Sequence, residues 1–493
     1  MRSISEADIQ VRLQRDNPWW EVGVNAIPEE RLPRRVYFRP FADLALDERI
    51  RRAAVLLGPR RVGKTVMIKQ LVAEAITTGY QAANILYVSI DAPVYAGFPL
   101  ERYLSAFKEY KRDERYLVLF DEIQYLKDWE VHLKDLIDSY PNVKFVATGS
   151  AAAALRLKSK ESGAGRFSEF MLPPLTFFEF LDFQHLREEL IKETSHDRGG
   201  YEYIDYEVKD IGRLNFEFVN YLNYGGYPEA VLNEHIRKNT DQFIRNDIID
   251  KVLLKDLPSL YGINDIQELN RLFSFLAYNA GQEASLEKIS RESGLTKPTI
   301  KRYIEYLESA FLIIKISTVD DTCKSLQRER NFKIYLNNPS MRAALFAPVS
   351  QDDTTSIGHL TESAIFSQWQ HDSRGMGQLR YARWRNEGEV DIVYIDTFDQ
   401  KPRWVVEIKW SDEIAKKWSD ATSSMAFFIR KNPKIGSAVF TTRTFEKKAT
   451  LEERPLEIRP SALYCYLLGR NITRHRIAEL ASTAPVTESP SVA

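Results

Sequence analysis

The stretch LLGPRRVGKTV, Leu56–Val66, sets Gly58 and Gly63 five residues apart and follows the second glycine with Lys64 and Thr65. An apolar run, AAVLL at Ala53–Leu57, leads into it and an amphipathic stretch leads out. A strand that passes through such a loop into a helix points backbone N–H groups and the helix N-terminus at one spot, where phosphate oxygens are held. The loop Gly58, Pro59, Arg60, Arg61, Val62, Gly63, Lys64, Thr65 and Val66 is therefore expected to wrap a nucleotide. Lys64 would reach the outer phosphates, and the Thr65 hydroxyl would ligate Mg²⁺.

Three more apolar runs follow, NILYVSI, RYLVLF and VKFVAT, separated by helical patterns. Such alternation predicts a parallel sheet wrapped by helices. RYLVLF ends in Asp121 and Glu122, an acid to hold Mg²⁺ and a second to polarise an attacking water. VKFVAT runs into Gly149 and Ser150, so Thr148 and Ser150 are candidates either for sensing the terminal phosphate or for capping a helix. Arg166, in SGAGRF, reads as a transition-state charge stabiliser, supplied within the chain or to a neighbouring subunit, or as a surface arginine.

The chain has 493 residues, enough for three or four domains, and its 44% hydrophobic content supports folded cores. A net charge of −1 excludes a uniformly basic surface, so any nucleic-acid contact must be local. Two distant cysteines, Cys323 and Cys465, and the lack of long apolar runs point to a reduced, cytoplasmic setting without membrane spans. The polar insert Ser195–Glu207 reads as a loop or domain edge, Leu214–Ile316 as mostly helical, and the tail as disordered.

Ala284–Ile316 reads as helix, turn at Gly294, second helix capped by Thr296, then an apolar strand: the order of a winged helix. Leu286, Ile289, Leu295, Ile300, Ile304 and Leu307 form its expected core. Lys297, Thr299, Lys301 and Arg302 would be exposed, facing DNA or a protein.

Further on, WVVEIKW, Trp404–Trp410, breaks an apolar strand with Glu407 and Lys409 on one face. Alone this reads as a salt bridge. In the preceding strand EVDIVYID, alternation predicts Glu389, Asp391 and Val393 on one face and Val390, Ile392 and Tyr394 on the other. A hairpin would bring Asp391 to Glu407 and Lys409, and Glu362 interrupts the apolar stripe Ile365, Phe366, Trp369 of an upstream helix. Together Glu362, Asp391 and Glu407 read as ligands of a divalent cation, with Lys409 stabilising transition-state charge.

In GPRRVGKT, LFDEIQ, TGS, GR at Gly165 and Arg166, LPPLTFFEF, GGYPE, KIYLNNP, GHLTESAIFSQW, EVDIVY and VVEIKWS the chain resembles prokaryotic AAA-type P-loop ATPases that carry a C-terminal domain of unknown function with a restriction-endonuclease-like core. The resemblance implies a multidomain α/β protein. An N-terminal segment (1–50) leads into an AAA-type nucleotide-binding domain with a parallel sheet and helices on both faces (51–175). A helical lid (176–275), a winged helix (276–345), an α/β PD-(D/E)xK nuclease-like domain (346–475) and a disordered tail (476–493) follow. In that pattern Asp391, Glu407 and Lys409 take the catalytic positions and Glu362 the helix carboxylate, with Val390 where the pattern has proline. GGYPE lacks an arginine that would serve as a second nucleotide sensor. The implied activity is Mg²⁺-dependent ATP hydrolysis coupled to binding and processing of DNA, branched DNA included, with a metal-dependent deoxyribonuclease in the C-terminal domain. Homo-oligomers are compatible with it. The alternative is a nucleotide-dependent signalling or defence switch that binds without cutting.

Overall fold

A computed structural model describes residues 5–95, 97–105, 107, 111, 113–149, 165–198, 201–263, 265–323, 331–384 and 388–483. They fall into two compact units, residues 1–173 with 475–493, and Pro174–Arg474. No helix among the described residues is long and apolar enough to cross a membrane.

The first unit is built on five strands, β1 (Ala53–Leu57), β2 (Ile85–Ser89), β3 (Tyr116–Asp121), β4 (Val143–Gly149) and β5 (Phe167–Met171), in the order β2-β3-β4-β1-β5. All neighbours are parallel. β1 and β3 are buried along their whole length, which is why their sequences are apolar without alternation. Residues 5–50 are more than a lead-in: Trp19, Tyr37 and Phe41 join the core against the helix Lys64–Thr77, and Phe41 meets Phe170 edge-on at 5.2 Å. The expected disorder from 476 is corrected as far as Thr483, and residues 484–493 lie outside the described residues. The last helix, Ser461–Thr483, carries Ile477 and Leu480 onto that same core.

The second unit corrects two further expectations. The polar insert near residue 200 forms a hairpin, β6 (Ile191–Arg198) and β7 (Tyr201–Val208), in an eight-pair register. Beyond the buried Ile191 its described side chains are exposed or half-buried, and composition cannot distinguish such a ribbon from a loop. Nor does a break separate 276–345 from 346–475. β8 (Glu283–Ala284), β9 (Ile313–Val319), β10 (Phe332–Leu336), β11 (Leu379–Trp384), β12 (Gly388–Ile395), β13 (Pro402–Glu407), β14 (Ser437–Thr442), β15 (Lys447–Leu451) and β16 (Arg454–Pro460) form one sheet. Its order is β15-β16-β14-β13-β12-β11-β9-β10-β8, joined through Tyr381↔Thr318 and Ala382↔Val319. Pairing β9 to β11 satisfies an edge that two separate domains would each leave open.

Between β8 and β9 the helices Leu286–Ser293 and Lys297–Ser309 flank Gly294, which takes φ 76°. The Thr296 hydroxyl caps the second helix by accepting from the Thr299 N–H. Ile289, Leu295, Ile300, Ile304 and Leu307 are buried, Leu286 half-buried, and Lys297, Lys301 and Arg302 exposed.

Gly226 of the GGYPE motif lies against Asn338, whose amide Nδ2 would stand 1.8 Å from an added Cβ. Asn338 is fully buried and its Oδ1 accepts from the Ser340 N–H, so it cannot swing aside cheaply. Gly226→Ala is expected to cost about 1–3 kcal/mol as overpacking. Calorimetry checks this: a melting temperature unchanged from wild type would contradict it.

Candidate functional site

The carboxyl ends of β1, β3 and β4 meet beneath the loop Gly58–Thr65. Gly58 is required by close approach: a Cβ there would lie 2.2 Å from the Leu172 carbonyl oxygen. Gly63 takes φ 96° and opens the helix Lys64–Thr77. Lys64 is buried, its Nζ donating to the carbonyls of Gly58 at 3.0 Å and Pro59 at 2.7 Å. Arg60 donates to the Tyr125 hydroxyl at 2.6 Å, whereas Arg61 is exposed.

Asp121, only 2% exposed, accepts from the Thr65 hydroxyl at 2.8 Å, from the Tyr87 phenol at 2.9 Å and from the Thr148 hydroxyl. Thr148 in turn accepts from the Glu122 N–H at 3.0 Å. Thr148 thus links the Asp121 carboxylate to the backbone of Glu122. Ser150 lies outside the described residues. Burial pushes the Glu122 carboxyl above the ordinary glutamate value and Asp121 adds to this, while Lys64 opposes. The Thr65 hydroxyl and the Asp121 carboxylate converge as hard oxygen donors and fit Mg²⁺.

Arg166 corrects an expectation. It sits at the amino end of β5, its carbonyl accepting from the Ala53 N–H at the start of β1, and its guanidinium pairs with Asp138 at 2.7 Å. The loop leaves the opposite end of β1, so Arg166 cannot serve the nucleotide site of its own chain.

The second unit gathers Glu362, Asp391, Glu407 and Lys409, by a route that simple alternation misses. The β11–β12 register slips between Arg380↔Val393 and Ala382↔Val390, a bulge that sets Asp391 and Ile392 together opposite Tyr381. Val390 and Val393 consequently share one core cluster, and Ile392 packs in the other with Phe366 and Trp369 of the helix Thr354–Trp369, which carries Glu362. The expected faces of β12 are corrected accordingly.

Lys409 Nζ lies 2.7 Å from Glu407 Oε1 and 3.3 Å from Asp391 Oδ2, and the same Asp391 oxygen accepts from the Ile408 N–H at 2.8 Å. The other side holds a residue to which the sequence reading gave no role. Lys333 of β10 pairs with Glu389 and reaches Glu362 Oε2 at 3.8 Å and Asp391 Oδ1 at 3.9 Å. Tyr335 donates to Glu362 at 2.8 Å. Burial works against the Lys333 charge, yet Glu362, Asp391 and Glu389 together hold its pKa above the ordinary lysine value. Burial raises Glu362 to about 7 and Glu407 to about 8, with Asp391 adding to each. Among the described residues no three Asp, Glu, His or Cys side chains converge to hold a metal ion. The carboxylates expected to share a cation are compensated by two ammonium groups instead.

Residues 50–181 match the family model of an AAA domain. With the all-parallel five-stranded sheet, this gives the first unit an AAA-type P-loop fold. A model described as a domain of unknown function matches residues 215–353 and ends ahead of Glu362, Asp391, Glu407 and Lys409. The chain is 29% identical over 274 residues to an uncharacterised protein of Haemophilus influenzae, covering 54% of this chain and only 62% of that relative. An uncharacterised protein of Methanocaldococcus jannaschii is 25% identical over 399 residues, 77% of this chain and 81% of its own. A solved Walker-type ATPase of Pyrococcus abyssi superimposes with a TM-score of 0.38 at 16% identity, over 64% of this chain and 97% of that one.

The raised Glu407 value has a definite sign. Unfolded chains release this proton near the ordinary 4.5, folded chains near 8, so the folded state binds more protons between those limits and stability falls as pH rises through them. Urea unfolding at pH 5 and pH 8 is expected to show a smaller loss in Glu407→Gln than in wild type. An equally steep loss in both would contradict this.

Proposed function

We propose that this chain hydrolyses ATP in its first unit, with Mg²⁺, and engages DNA with its second. The observation that carries the proposal is the array beneath the loop, in which Thr65 at the start of the helix and Thr148 on β4 both donate to Asp121 at the end of β3. Backbone N–H groups of Gly58–Thr65 and the following helix bind the phosphates. Lys64 exchanges its bonds to Gly58 and Pro59 for phosphate oxygens, so the loop is shaped by its own carbonyls until nucleotide arrives. Thr65 and Asp121 would hold Mg²⁺, which neutralises charge on the outer phosphates. Glu122, its proton affinity raised by burial, accepts the proton of the attacking water. Of the readings of Arg166, a surface arginine paired with Asp138 and a charge supplied to a neighbouring chain remain.

For DNA the support is the element order of the second unit. A helix, the short strand β8, two helices about Gly294, then β9 and β10, with β10 paired to both β8 and β9, supports the reading of a winged helix. Lys301 and Arg302 are exposed on its second helix, and Lys297 at its start pairs with Glu287 at 2.5 Å. Such contacts position a phosphate backbone without specifying sequence. The two lysines among the carboxylates favour binding without cleavage, so DNA cutting is not part of the proposal.

ATP turnover and retention of labelled duplex and branched DNA test both halves in one set of samples. Lys64→Ala is expected to abolish turnover while DNA is retained, and Lys301→Glu with Arg302→Glu to weaken DNA retention while basal turnover persists. Turnover surviving in Lys64→Ala, or DNA retention indifferent to the charge reversal, would overturn the corresponding half.

A further inference from the structure

The carboxylate cluster of the second unit contains a cation that belongs to the chain. Lys333 extends from β10 with its side chain only 5% exposed, and its ammonium faces Glu389, Glu362 and Asp391. Tyr335, two residues on and so on the same face of β10, binds the same Glu362 oxygen as Lys333 and keeps that carboxylate turned inward. Asp391 is shared between two lysines, one at each oxygen: Lys333 on Oδ1 and Lys409 on Oδ2. One acceptor remains over. Glu407 Oε2 is buried without a hydrogen-bond partner, while Oε1 binds Lys409.

We propose that Lys333 is the resident counter-cation of this cluster, occupying the charge-compensating position between Glu362 and Asp391 that a divalent ion would need, so that the chain as folded binds no metal there. The inference is independent of the ATP-hydrolysing reading of the first unit. A buried carboxylate keeps its charge only where an ammonium ion or a metal compensates it, and otherwise takes up a proton. Removing the Lys333 charge leaves Glu362 without its cation and Asp391 with Lys409 alone, beside the orphan oxygen of Glu407. The oxygens of Glu389, Glu362 and Asp391 that face the ammonium are then left for a hard divalent cation to draw together as ligands. The cluster is thus a latent Mg²⁺ or Mn²⁺ site that one lysine keeps closed, and the strand that closes it lies in the same hairpin as β9.

Mn²⁺ titration followed by electron paramagnetic resonance, on the full chain without nucleotide, tests this in wild type, Asp391→Asn, Lys333→Met and the double variant Lys333→Met/Asp391→Asn. Wild type and Asp391→Asn are expected to bind the same amount of Mn²⁺. Lys333→Met should gain one site at least tenfold tighter than any in wild type, lose it in the double variant, and melt at a higher temperature with Mn²⁺ than without. Lys333→Gln, which keeps a hydrogen bond to Glu389, replaces Lys333→Met if that protein does not fold, with the same expectation. An Asp391-dependent Mn²⁺ in wild type overturns the proposal, and so does a folded, uncharged variant at 333 that gains none.

Discussion

One buried carboxylate organises the first unit. Asp121 ends β3 almost without solvent, and an ion so placed is stable only when its oxygens are supplied with donors. Three hydroxyls do this, from Thr65 after the loop, Tyr87 on β2 and Thr148 on β4. Each comes from a different element, so satisfying one ion ties the loop and two neighbouring strands to β3. The phenol answers in kind, its ionisation suppressed by burial and by the Asp121 charge. The array is at once the reason the loop keeps its shape and the place where a metal and the outer phosphates can be met.

The second unit solves the same physical problem with the opposite chemistry. Asp391 is compensated by two ammonium groups rather than by hydroxyls, and is brought within their reach by a bulge in β12. Hydroxyl donors leave a carboxylate its charge, free to attract a cation. Ammonium donors cancel that charge, and a cation then has to displace them. Two acidic sites in one chain therefore differ in readiness for metal, for a reason visible in the identity of their neighbours.

Legibility in the sequence follows the same division. The loop, the parallel sheet and the acids of β3 could be read because each depends on residues close in sequence: a glycine spacing, an unbroken apolar run, a strand end. Glu362, Asp391, Glu407 and Lys409 could be gathered because a hairpin and a helix stripe are local patterns. Lys333 was not legible as part of that group, because only the pairing of β9 with β11 carries β10 into the sheet. Its one signal was a lysine placed in the otherwise apolar strand FKIYL, which is buried throughout. The bulge escaped because period-two alternation assumes an unbroken ladder. Thr148 was singled out, for sensing a phosphate or capping a helix, but its bond to Asp121 is a contact between strands that sequence spacing does not encode. The readings of Arg166 could not be separated for the converse reason: a glycine-rich neighbourhood names a loop without saying at which end of the sheet it lies.

The central claim is that the Asp121 array forms the metal-dependent part of a nucleotide site, and Asp121→Asn tests it most directly. The amide keeps the size of the side chain and can still accept from one hydroxyl, but it carries no charge. Nucleotide affinity and turnover, measured with Mg²⁺ and again in EDTA, are predicted to show EDTA-state affinity close to wild type, no gain on adding Mg²⁺, and turnover reduced by about 10²-fold or more, the scale expected when preorganised electrostatic stabilisation is removed. Wild-type turnover with an intact Mg²⁺ dependence in Asp121→Asn would contradict the account.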